Sequence, residues 1–197
     1  VPEDAYWGAQ TARAVANYPI SGLGPHPALV RATVQIKKAA AQANRDLAGL
    51  EPEIAEAIVA ACDEILAGAL RDHFVVDPYQ AGAGTSHHMN VNEVIAARAS
   101  EILGGPRTPG GRVHPNDHVN RAQSTNDVFP TALRLAVLEQ AQPLLAAMGG
   151  LATSLEGKAQ QFHPVIKSGR THLQDASPIR LGRQVGAWAE NVRRHRA

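Results

Sequence analysis

Three short segments of this 197-residue chain crowd hydrogen-bonding side chains: GAGTS at Gly82–Ser86, STND at Ser124–Asp127 and GRTH at Gly169–His172. Each stands at, or shortly before, a stretch with helical periodicity. A helix start leaves backbone N–H groups without partners and carries the positive end of the dipole, so it is a ready anion site. Gly82 and Gly84 would let the backbone come close to a ligand, and Thr85, Ser124, Thr125, Asn126 and Thr171 would add uncharged donors. Brought together, such groups would grip a small carboxylate at both ends. His172 is the side chain of these segments suited to proton chemistry near neutral pH. Arg170 could clamp a carboxylate or pair with Asp175. Asp127 would repel an anion, which assigns it to capping and loop structure.

The plainer reading is that Ser, Thr, Asp and Asn before a helix are most often N-caps. Three such segments in one chain, one of them carrying a Thr-His pair, shift the balance toward a site. Metal binding is disfavoured. His87-His88 and His114-x3-His118 look like ligand clusters, but Pro115 and Asn116 make a helix with both outer rings on one face improbable, and no HExxH is present. GAGTS lacks the lysine of a P-loop and the preceding strand of a dinucleotide fingerprint, so neither of those cofactor motifs is present.

The elements that must position these groups are helices. Leu29, Ala32, Ile36 and Ala39 recur at helical spacing before Gly49. Ile54, Ile58, Ala61 and Ile65 line one face of a helix opened by Pro52. HFVVDP is a short extended piece at most. Val94, Ile95, Ile102 and Leu103 mark a helix stopped by Gly104, and a long loop runs from Pro106 to Gln123. A very long helix opens at STND, with a kink expected at Pro143 and a weak point at Gly149-Gly150. A last helix is expected from Ile179 to Arg196. The chain reads as all-α, with an N-terminal helical domain over 1–127 and the start of a long-helix domain over 128–197. Apolar stripes on helices this long call for further helices to cover them.

GAGTSHHMNVNEVIAARA, HPNDHVNRAQSTNDVFPTA and GRTHLQDASPIRLG together resemble the aspartase/fumarase family of lyases, and DAYWGAQTARAVANYPISG extends the likeness toward the start. The resemblance implies an all-α homotetramer whose active sites each collect segments from three subunits. It also implies reversible anti-elimination from a four-carbon dicarboxylate to give fumarate. By motif, Thr85, Ser124, Thr125 and Thr171 would hold a substrate carboxylate, and Asn126 and His172 would contact the end near the leaving group. Thr171 and His172 would be the catalytic pair. His114, Asn116 and Asp117 match a second, peripheral dicarboxylate site. The family's proton-abstracting serine lies on a glycine- and serine-rich loop with no counterpart after Arg180, so a fragment inactive on its own is expected. Fumarases usually show GSGT and SSND, whereas Ala83 and Thr125 match aspartases, and VVDPYQ does too. HPNDHVNRAQ and EILGG are fumarase-like. On balance the motifs favour loss of ammonia from L-aspartate over loss of water from L-malate. Because related proteins also serve as structural scaffolds, a non-catalytic helical scaffold is the alternative of another class.

Bulk properties agree. Hydrophobic residues make up 44% and aromatics only 4%, a mix suited to close-packed helices. A formal net charge of +1, with no long basic block, argues against nucleic acid as a partner. No apolar run reaches the roughly 20 residues that span a bilayer. The single cysteine, Cys62, allows no intrachain disulfide, and a reducing, cytoplasmic home is the simplest expectation.

Overall fold

The computed structural model describes residues 1–107 and 111–197; of the long loop expected between Pro106 and Gln123, Thr108, Pro109 and Gly110 lie outside the described residues. Among the described residues six α-helices follow one another: α1 (Ala9–Asn17), α2 (Pro27–Asp46), α3 (Pro52–Leu66), α4 (Thr85–Ile102), α5 (Thr125–Gln161) and α6 (Leu181–Arg196). The all-α expectation holds, with one addition. Strands β1 (Ile166–Thr171) and β2 (Gln174–Arg180) form an antiparallel hairpin between α5 and α6. The chain divides into two compact units, Val1–Val137 and Leu138–Ala197, the division falling inside α5.

In the first unit the core lies among α2, α3 and α4, where Val34, Ile58, Cys62, Val91, Val94 and Ile95 are buried together. All four residues expected on the inner face of α3 are buried. The inner face of α2 is rotated from the expected one. Val30, Thr33, Val34, Lys37 and Ala41 point into the core, while Leu29 and Ile36 pack against a second small cluster with Ala132 and Ala136 of α5, and Ala39 is exposed. Two apolar stripes on one helix defeat a single-face reading. Ile102 is also exposed, because α4 ends there and leaves the core.

Glu93 of α4 fixes the start of α1. Its carboxylate accepts from the N–H groups of Gly8 (2.8 Å), Gln10 (3.0 Å) and Thr11 (3.1 Å) and from the Thr11 hydroxyl (2.6 Å). A buried carboxylate at a helix N-terminus satisfies the orphan donors there. HFVVDP forms no strand: Arg71–His73 is a short 3₁₀ turn. The loop after α4 holds one π-helical turn, Pro115–Val119.

In the second unit α6 runs back along the end of α5. Gly182 allows the close approach, since a Cβ there would sit 2.2 Å from the Ala159 carbonyl oxygen. An Arg193–Glu156 ion pair joins the same two helices farther along. α5 continues unbroken through Pro143 and Gly149-Gly150.

Candidate active site

The polar segments GAGTS and STND meet in the first unit. Gly84 is the N-cap of α4, with φ 75°, and a Cβ on it would lie 2.3 Å from the Phe129 ring in α5. Only glycine fits both the left-handed backbone and the contact. The first turns of α4 and α5 are thereby pressed together. Thr85 is the first residue of α4, and among the described residues no acceptor meets its N–H or that of Ser86. The next donor, His87 N–H, is taken by the Gln80 side chain at 2.7 Å. Thr85, Ser124 and Asn126 are exposed, and Thr125 is half-buried. Ser124 acts as a cap, since its Oγ accepts from Asn126 N–H at 3.3 Å. The capping reading therefore applies at Ser124.

Beneath Thr125 lies a buried polar chain that sequence reasoning missed. Thr125 Oγ1 is 2.7 Å from His88 Nδ1. The other ring nitrogen of His88 meets Lys37 Nζ, which also donates to Asn120 Oδ1 and Gln123 Oε1, both at 2.9 Å. Lys37 and His88 are almost completely buried. Burial pulls Lys37 down to about 7. Burial first, then the neighbouring Lys37 and His87, holds His88 down at about 3. His87 packs edge-on to Phe129 and lies 3.0 Å from Thr33 Oγ1; burial lowers it to about 4. Its Nδ1 has no partner among the described residues. The signal in the sequence was positional: Lys37 follows Val30, Thr33 and Val34 at three- and four-residue spacing, on the buried stripe.

GRTH lies elsewhere in the chain, on the hairpin of the second unit. Thr171 pairs with Gln174, and His172 and Leu173 are the two turn residues, with φ of 49° and 60°. Its donors belong to the end of β1 and the turn after it, not to a helix start, because α6 begins only after β2. Left-handed backbone at two successive non-glycine residues costs on the order of 1–3 kcal/mol each and is concentrated where function holds it. Thr171 and His172 are exposed. Arg170 and Asp175 are cross-strand partners in register, and among the described residues no ion pair joins them.

His114, Asn116 and Asp117 sit at the π-helical turn. His114 Nδ1 accepts from Asp117 N–H at 3.2 Å and lies 3.1 Å from the Asp117 carboxylate. His114 N–H donates to His118 Nδ1, so this pair is engaged within the turn. His114 and Asn116 line a cavity of about 550 Å³ with Trp7, Met89 and Arg107. Among the described residues no three His, Cys, Asp or Glu side chains are arranged to hold a metal ion, and no helix is long and apolar enough to cross a membrane.

A lyase family model matches residues 1–197. The chain is 54% identical over 194 residues to the class II fumarate hydratase of Halobacterium salinarum, covering 98% of this chain and 41% of that protein. It is 49% identical over 194 residues to the aspartate ammonia-lyase of Bacillus subtilis, again covering 98% and 41%. It superimposes with a TM-score of 0.92 and 52% identity on the crystal structure of fumarate lyase:delta crystallin from Brucella melitensis, covering 98% of this chain and 44% of that one. The chain belongs to the aspartase/fumarase family of lyases. It spans less than half the length of these relatives.

Proposed function

We propose that this chain supplies substrate-binding segments to an enzyme that forms fumarate from a four-carbon dicarboxylate by reversible anti-elimination. The observation that carries the reading is the junction of α4 and α5, where Thr85, Ser124, Thr125 and Asn126 lie at the adjoining first turns of two helices. The proton to be removed sits beside a carboxylate, and its loss pushes charge onto that carboxylate. Fixed uncharged donors and helix N-termini stabilise such a dianionic intermediate. In this reading each site collects segments from different subunits: Thr85, Ser124, Thr125 and Thr171 hold the carboxylate that gains charge, while Asn126 and His172 face the leaving group. No residue of this chain is assigned the removal of the proton, and no metal or cofactor is assigned a role.

Ammonia from L-aspartate is the favoured leaving group, on Ala83 in GAGT and Thr125 in STND. Loss of water from L-malate is the second reading, favoured by the 54% and 52% identity to fumarate hydratases against 49% to the Bacillus subtilis aspartate ammonia-lyase. His114, Asn116 and Asp117 are assigned a peripheral dicarboxylate site.

The same reading carries a homotetramer with long helices at its centre. Its support is the apolar surface of α5, where Leu133, Val137, Leu138, Leu144 and Leu151 are 48–62% exposed. Leucines left this exposed along one helix are the mark of an interface. The domain limits assigned to the whole protein are 1–127 and, from 128, the long-helix domain. Ultraviolet absorbance of fumarate, followed with the protein that carries this chain and either L-aspartate or L-malate, tests the reaction. Fumarate from aspartate is the expected result. Fumarate from malate alone overturns the choice of leaving group, and fumarate from neither overturns the function.

A further inference from the structure

The buried chain below the site sets the direction of a hydrogen bond. Three acceptor-capable atoms surround Lys37 Nζ: Asn120 Oδ1, Gln123 Oε1 and His88 Nε2. The two amides are oriented independently of Lys37. Asn120 Nδ2 donates to the Gln123 carbonyl at 3.3 Å, and Gln123 Nε2 donates to the Val119 and Arg121 carbonyls at 3.0 and 3.1 Å. Their oxygens therefore face Nζ. An ammonium has three donors and no lone pair, and its three positions match these three partners. A ring nitrogen facing it must present its own lone pair, so the single proton of a neutral His88 ring is left on Nδ1. That N–H points at Thr125 Oγ1.

We propose that His88 is a positioning residue: clamped by the Lys37 ammonium, it donates Nδ1–H to Thr125 Oγ1 and so commits the Thr125 hydroxyl to donate outward, to the substrate carboxylate. The last clause rests on the functional reading given above. With the opposite tautomer, Nδ1 would accept the Thr125 proton and the hydroxyl would offer only lone pairs, which repel a carboxylate. The low proton affinity of His88 agrees with a ring that stays neutral beside a cation. All five side chains belong to the first compact unit.

Neutron diffraction from crystals of the protein grown near pH 6 in heavy water reads the protons directly. The expected result is a deuteron on His88 Nδ1, none on Nε2, and three on Lys37 Nζ. A deuteron on Nε2 overturns the proposal. The kinetic arm compares two variants in the fumarate assay. His88→Asn places an amide N–H near the position of Nδ1 and keeps kcat/KM within about threefold, whereas His88→Leu lowers it about 10- to 100-fold, as loss of an orienting partner does. Equal loss in both variants, with wild-type melting temperature retained, overturns the positioning role. A wild type inactive on both substrates overturns the functional reading instead, and the deuteron positions then decide the tautomer alone.

Discussion

Thr125 Oγ1 and His88 Nδ1, 2.7 Å apart, tie the first turn of α5 to that of α4. One hydrogen bond thus joins two segments 37 residues apart in sequence, and both carry the polar residues that read as a carboxylate site. The ring contact between Gly84 and Phe129 presses the same two turns together. The geometry of the donor array therefore depends on a glycine, an aromatic ring and a buried histidine that need not touch substrate.

Replacing Gly84 with Ala forces a left-handed residue and drives a Cβ to 2.3 Å from the Phe129 ring. Strain and overpacking together should destabilise the chain by about 2–4 kcal/mol. Urea unfolding of Gly84→Ala measures it. Adding Phe129→Ala should recover the steric part and give strong non-additivity. A single variant as stable as the wild type contradicts the close contact.

His87 and His88 make stability fall in acid. Their folded-state values, about 4 and about 3, lie below the ordinary histidine value of 6.5. As pH falls from 6.5 toward 4, the unfolded chain takes up protons that the folded chain excludes, so stability is lost across that window. Two such groups give a slope of up to about 2.7 kcal/mol per pH unit. Lys37, lowered to about 7 from 10.5, adds a second rise in stability between those two pH values. Chemical denaturation at a series of pH values checks both, and a flat profile from pH 6.5 to 4 contradicts the buried neutral rings.

Cys62 is fully buried, and burial pushes its thiol up to about 12. A thiol is reactive as the thiolate. A disulfide reagent should label Cys62 only under unfolding conditions. Stoichiometric labelling within the mixing time of the native chain contradicts the packing of α3.

His172→Asn should spare stability and reduce turnover. The side chain is exposed, and asparagine tolerates the φ of 49°. In the proposed site His172 contacts the leaving group, and loss of one such fixed polar contact should lower kcat about 10²-fold. Melting temperature and fumarate formation are measured on the same variant. Undiminished turnover contradicts a catalytic role, and collapse of the fold shows His172 to be structural.

Much of this was legible in the chain itself. The face of α3 followed from Ile54, Ile58, Ala61 and Ile65, and both α4 and α5 begin at the polar segments that stand out in the sequence. The hairpin was hidden because SGRTHLQDASPIRLG lacks alternating apolar residues, and its turn uses His172-Leu173 where glycine or asparagine would have signalled one. Lys37 was hidden because lysine is so rarely buried that its place on the apolar stripe of α2 reads as solvent-facing. His87 and His88 resembled a metal pair, yet they point to different partners, Thr33 and Lys37.

The central claim is that fixed uncharged donors at the α4–α5 junction stabilise charge developing on a substrate carboxylate. Thr125→Val removes one hydroxyl donor and keeps the side-chain shape. Fumarate formation by this variant of the protein, measured beside the wild type on its preferred substrate, should fall about 10²- to 10³-fold in kcat, as when one donor of an oxyanion site is deleted. A folded Thr125→Val variant with undiminished kcat contradicts the account.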